Sequence, residues 1–457
     1  MKLKTLNIIS CLFITACIIT SCLEKEIVEY ELSPNSSITA FSIGDIKTQY
    51  TKFIDGKDST LTDTVFGKDY PFTINQQIGV IYNADSLPVG TDVSRVKVDI
   101  TADTQGIFIV ASTDSLWVEE DSLNFEKPIQ FKVLSETGVF GRIYVAKINV
   151  HQQNPDSLVW NKINTNFPTE VQKQKAVFAN NQIFIFTEQA SQVAVTMMEI
   201  GTNEWTALQN IDIPVKADYT SAMIWDGQFY ILAENQLYTS SNGLNWRKVE
   251  TEQSIKQLTA NMALETGKKL IGIDMENQYI ESEDGMNWNT FENIPEDFPT
   301  QNVSFAAYPL ATNASLARIV VMGDNQSATN SYTSTWFQLG TEQGWSALNT
   351  DADSYNCPNL ENISMIHYNN QLYAFGGPDK NDETIGAFSH LYSSIDNGIT
   401  WEKKTELVMF PQEFTQLYQQ AGGNYSWAID QDNFLWIMWS QTGEVWRGRI
   451  NKLGFDK

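Results

Sequence analysis

The chain has 457 residues, enough for two or three domains, and a formal net charge of −25. So acidic a surface repels phosphate backbones, which excludes nucleic acid as a partner. Of the four cysteines only Cys357 lies beyond residue 22, so the folded part has no intramolecular disulfide and rests on packing.

The first elements concern targeting. Lys2 and Lys4 open the chain, and an apolar run from Ile8 to Ile19 follows. Residues 1–21 therefore read as a secretory signal, too short and too soon followed by charge to span a bilayer. Ile19-Thr20-Ser21-Cys22 resembles the bacterial lipoprotein box, in which the cysteine becomes the lipidated first residue. Ile14-Thr15-Ala16-Cys17 also fits, but charge begins at Glu24-Lys25-Glu26, which favours Cys22. A lipid on Cys22 would anchor the chain to the outer membrane, on its periplasmic or cell-surface face, without crossing it. Residues 22–36 are polar and read as a tether.

Residues 37–152 carry short alternating runs separated by turn residues. They are Ser37–Ile43, Ile78–Tyr82, Ser94–Ile100, Ile107–Val110, Ile129–Val133 and Arg142–Val150. About seven short strands at this spacing predict an immunoglobulin-like β-sandwich. Gln152 to Asp156 is a polar link.

From 157 to 457 the chain repeats. Trp205, Trp246, Trp288, Trp345 and Trp401 recur, each eight or nine residues after Met197, Tyr238, Tyr279, Trp336 or Tyr392. Ahead of these stand paired apolar runs joined by Asn180-Asn181, Asp226-Gly227 and Asn369-Asn370, which are hairpin turns. Four strands per repeat predict propeller blades, near 174–213, 218–251, 257–295, 302–350, 362–408 and 424–452. The last lacks its fourth strand, and Leu158–Ile163, upstream of the first, has the missing pattern. The fold class is thus all-β: a sandwich, then a six-bladed propeller closed by an N-terminal strand through Trp160, which removes open edges.

Ser394-Ile395-Asp396-Asn397-Gly398-Ile399-Thr400-Trp401 matches an Asp-box, with degenerate copies at 239–246 and 281–288. These resemble the turns of sialidases and other Asp-box propellers, and 369–377 resembles a kelch strand pair; both speak to blade construction. The layout is similar to a family of Gram-negative surface lipoproteins of unknown function, with a sandwich followed by a propeller. The likeness is carried by the lipobox, by Phe72-Thr73-Ile74-Asn75-Gln76, by residues 81–92 and by the repeats. It implies no activity.

No cofactor or metal is expected: His151, His367 and His390 are scattered, and the residues 379–383 lack the spacing of a calcium loop. Sialidase chemistry needs three converging arginines, and the six arginines here do not supply a central trio. A glycoside hydrolase or lyase with carboxylates near the axis is the main rival reading. A structural subunit of an outer-membrane complex is another. The preferred function is non-catalytic recognition of a glycan or an envelope protein through long loops of the later repeats. Its candidate contacts are Tyr332, Tyr355, Asp379, Phe388, His390, Phe410 and Tyr418.

Overall fold

The computed structural model describes residues 32–54, 57–190, 192–265, 267–325, 332–340, 342–348, 355–404 and 406–454. Cys22, its signal and most of the tether lie outside the described residues. The chain divides into two compact units between Asn154 and Pro155.

The first unit holds a six-stranded sheet. Its spatial order is Phe72–Asn75, Val80–Asn83, Phe140–Lys147, Ile129–Leu134, Gly106–Ile109 and Ser115–Leu116. Phe140–Lys147 runs parallel to Val80–Asn83, and the other pairings are antiparallel. Ile38–Ile43 pairs separately with Val98–Ala102. Ile38, Phe41, Ile81, Phe131, Val133 and Tyr144 are buried together between these strands. Gln76 bridges the two sheets: its amide donates to the Ile38 carbonyl at 2.6 Å, and its oxygen accepts from the Tyr144 hydroxyl at 2.6 Å. Asn83, fully buried, is satisfied by the backbone of Asp85 and Asn149. A hairpin, Ile46–Ile54 with Lys57–Val65, was not expected, because its Thr- and Asp-rich sequence lacks apolar alternation.

The second unit is a β-propeller. Its described residues form six four-stranded antiparallel sheets. The innermost strands are Gln174–Ala179, Ala217–Trp225, Ile255–Leu264, Gln301–Leu310, Ser364–Tyr368 and Tyr425–Ile429. Consecutive inner strands pack side by side from the first sheet to the fifth, and the first also packs on the sixth. Ser364 Oγ and the Tyr425 hydroxyl, 2.8 Å apart, join the fifth to the sixth. The outer strand of the sixth sheet is Leu158–Ile163, which pairs with Val445–Ile450 in unbroken register from Leu158↔Ile450 to Ile163↔Val445. Residues from the two ends of this unit thus share one sheet.

The hairpin turns take the left-handed conformation that Asn and Gly tolerate, with φ of 51° and 61° at Asn180 and Asn181, and 49° and 58° at Asn369 and Asn370. The Ser-x-Asp/Asn turns repeat one set of bonds. In the fifth sheet Ser394 Oγ accepts from the Gly398 N–H, Asp396 accepts from the Thr400 N–H, and the Trp401 indole donates to the Gly398 carbonyl. The indoles of Trp246 and Trp288 make the equivalent bond to Gly243 and Gly285. Gly398 sits at φ 97°, which a side chain would strain. Trp246 packs edge-on to Phe186 of the preceding sheet, so the turn also ties neighbouring sheets.

Between the fifth and sixth sheets lies an α-helix, Glu413–Gln420, that the sequence reading did not anticipate. It has too few turns for a clear period, and Gln412 before it makes no side-chain cap. Its Phe414, Leu417 and Tyr418 are buried.

Candidate functional site

The six inner strands enclose an axial cavity of about 760 Å³. It continues into a mouth of about 480 Å³, lined where the inner strands begin, at residues 218–221, 256–258, 300–304, 362–364 and 423–425. Gln301, at the start of one inner strand, pairs with Asp324, at the end of the next strand. The links between sheets and the loops after second strands therefore open on the same face as this mouth.

The mouth is polar and aromatic. Gln257, Asn302, Asn362 and Asn424 line it, with Tyr219, Tyr425 and Trp427, all three half-buried. Asn302 and Asn362 are held in place, donating to Asp324 Oδ2 at 2.7 Å and to the Gly423 carbonyl at 3.0 Å. Gln174 spans from the first sheet to the sixth, donating to the Met438 carbonyl at 2.9 Å. Its buried oxygen has no partner among the described residues. Lys175 lines both the mouth and the cavity beneath it. Burial holds its ammonium below the ordinary lysine value, against the opposing field of Asp218. Burial also pushes the phenols of Tyr219 and Tyr425 up and the imidazole of His367 down. His367, on the cavity wall, lies flat on Tyr308 with ring centres 4.1 Å apart.

Two carboxylates, Asp218 and Asp226, are found among the described lining residues. They sit at opposite ends of one inner strand. Asp218 faces Leu232 and Asp226 follows the Trp225–Gln228 pair, a separation of roughly 15 Å at strand spacing. Paired-carboxylate hydrolysis needs about 5–10 Å. Asp226 is moreover ion-paired with Lys268 at 2.6 Å. No arginine is among the described lining residues. Arg318, Arg447 and Arg449 lie on second and third strands, stacked on Phe337 or Phe434.

The residues singled out by loop position scatter. Phe388, Phe410 and Tyr418 do come together, but as core: they are 3%, 8% and 6% exposed. The Phe388 ring packs within 4.9 Å of Phe410 and of Trp439, and the Tyr418 hydroxyl accepts from Asn362. They offer no aromatic surface, because the long loops fold over a hydrophobic cluster of their own beneath the helix. Asp379 is also buried, its carboxylate accepting the N–H groups of Asn381 and Asp382. His390 is partly buried, its Nδ1 lacks a described partner, and burial with Lys403 lowers its pKa. Tyr332 bridges to Pro358 and lines a separate pocket of about 200 Å³. Tyr355 is 60% exposed, and its carbonyl accepts the Trp401 N–H at 2.7 Å. None of these seven lines the axial mouth. The residues that do line it sit on inner strands or directly before them. The available signal was a lysine interrupting an otherwise apolar strand, in Gln174-Lys175-Ala176-Val177-Phe178.

The chain has no match among functionally curated proteins. An α-L-arabinanase of Penicillium chrysogenum complexed with arabinobiose is 10% identical, at a TM-score of 0.41 over 63% of this chain and 98% of that one. A virginiamycin B lyase from Staphylococcus aureus is 9% identical, at 0.39 over 64% and 99%. A Trichoderma reesei enzyme of carbohydrate-active family AA12 is 11% identical, at 0.40 over 64% and 96%. The DUF6242 N-terminal domain, a domain of unknown function, matches residues 41–148, and the DUF6242 beta propeller domain matches residues 154–457. The chain belongs to the DUF6242 family.

Proposed function

We propose that this chain is a lipid-anchored cell-envelope protein that binds a carbohydrate without cleaving it, at the axial mouth of a six-bladed propeller. In this reading Cys22 carries the lipid, the first unit is an immunoglobulin-like spacer, and the Ser-x-Asp turns are Asp-boxes. The observation that carries the binding assignment is the composition of the mouth. Fixed side-chain amides stand beside half-buried Tyr219, Tyr425 and Trp427. Amides bond sugar hydroxyls, and aromatic faces cover the apolar side of a sugar ring. The separation of Asp218 from Asp226 weighs against paired-carboxylate hydrolysis there.

The test is a glycan-array screen of the chain from residue 23, followed by mass spectrometry of the bound glycans. Retention of intact glycans supports the assignment, and Trp427→Ala should abolish it. Release of shortened glycans would make the protein an enzyme. An array with no retained glycan would reject carbohydrate recognition in favour of a protein partner. Lipidation is tested separately, by incorporation of an alkyne-labelled fatty acid that Cys22→Ser should abolish.

A further inference from the structure

The propeller is rich in carboxylates, and among its described residues seven lysines are ion-paired: Lys162, Lys173, Lys216, Lys268, Lys269, Lys380 and Lys452. Lys175 is different. It is half-buried at the axis, and its ammonium makes no hydrogen bond or ion pair with any described residue. Asp218 supplies the opposing charge, and its carboxylate is occupied by the N–H and hydroxyl of Thr220 at 2.9 and 2.7 Å. An ammonium on a cavity wall without an ion-pair partner is available to pair with a ligand anion.

The side-chain amides of Gln257, Asn302, Asn362 and Asn424 line the same mouth. An amide oxygen accepts from a hydroxyl, and an amide N–H donates to one. Trp427 lines the same space, on the sixth inner strand, which packs against the strand of Lys175. One cation, several side-chain amides and an indole lining one mouth suit a ring that bears hydroxyls and a single negative charge.

We infer that the axial mouth recognises an acidic sugar, with Lys175 contacting the carboxylate of a uronic acid residue. This rests on the carbohydrate reading above and narrows it to a ligand class. A carboxylate fits better than a phosphate because one ammonium, with no arginine among the described lining residues, balances one charge rather than two. The chain's overall charge of −25 repels polyanions at long range, so the contact must be local and short. Lys256, the other lysine at the mouth, is exposed and donates to Asn277 Oδ1, so it serves as the control.

The experiment uses the full chain in detergent. Intrinsic fluorescence and calorimetry follow titration with oligomers of galacturonate and of glucuronate, each beside its methyl ester. The ester keeps the ring and hydroxyls and removes the charge. The free acid of at least one series should bind at least tenfold more tightly than its ester. Lys175→Gln should erase that ratio while ester affinity stays within about twofold, and Lys175→Arg should keep it. Lys256→Gln should leave the ratio unchanged. Thermal melts matching the wild type establish that the variants are folded. Equal affinity for acid and ester, or a ratio that survives Lys175→Gln, would overturn the inference while leaving carbohydrate recognition intact. Failure of every oligomer, together with a blank glycan array, would remove the carbohydrate reading and this one with it.

Discussion

Trp160 occupies the space that a side chain at position 448 would need: a Cβ on Gly448 would lie 2.5 Å from Trp160 Cδ2. The two residues are partners in the register that joins the start of the propeller to its end. Trp160 also packs on Phe410 and Phe414 and donates its indole N–H to the Met409 carbonyl at 3.0 Å. Trp160→Ala should destabilise the propeller by about 2–3 kcal/mol, below the range for a fully buried Trp because this ring is half-buried. Gly448→Val should cost about 1–3 kcal/mol by overpacking. The double variant should cost less than the sum, since removing the indole frees the space. Urea unfolding followed by tryptophan fluorescence measures all three.

Equivalent turns use different chemistry. Asp284 Oδ1 accepts the N–H groups of Met286 and Asn287 at 2.8 and 2.7 Å, and Asn242 Oδ1 accepts those of Leu244 and Asn245, both at 3.0 Å. The bonds from Asn287 and Met286 hold the Asp284 carboxyl down at about 2. Its folded pKa lies below the unfolded one, so its contribution is present above about pH 4 and is lost as pH falls toward 2. Asp284→Asn should keep the turn and flatten the acid limb of the stability profile. Asn242→Asp should steepen it. Melting temperatures between pH 2 and pH 5 decide.

His367 sets a second dependence. Burial lowers its pKa, so the folded state favours neutral imidazole stacked on Tyr308. Stability is then full above the unfolded value of about 6.5 and declines as pH falls below it. His390 shares this direction, from burial and from Lys403. His367→Gln and His390→Gln should each remove part of the decline, and the double variant most of it, in melts from pH 5 to pH 8.

Cys357 is fully buried in the core shared by the fourth and fifth sheets, and burial pushes its thiol far up. Iodoacetamide should therefore leave it unmodified in the native protein and label it on urea unfolding, as mapped by mass spectrometry. Rapid native labelling would contradict the packing around it.

The repeat architecture was legible because it is written in local chemistry. A glycine, an Asx residue and a tryptophan recur at set offsets, and Leu158–Ile163 shows the pattern that the last repeat lacks. Three of the candidate contacts are buried for a physical reason. Phe388, Phe410 and Tyr418 stand in long connections, where aromatic residues suggest an accessible surface, yet Glu413–Gln420 folds there and buries them. Lys175 is visible in the sequence as a lysine in an apolar strand, but its place at the axis depends on six strands converging from positions far apart in the chain.

Lys162 of the closing strand and its ion-pair partner Glu444 are 282 residues apart in the chain. During synthesis the strand made first must therefore wait, edge exposed, until the last strand emerges. The propeller cannot complete itself vectorially, one repeat at a time, but only once the whole chain is available. Loss of the final strand would do more than shorten the protein. It would leave sticky edges at both ends of the ring, ready to pair with another copy.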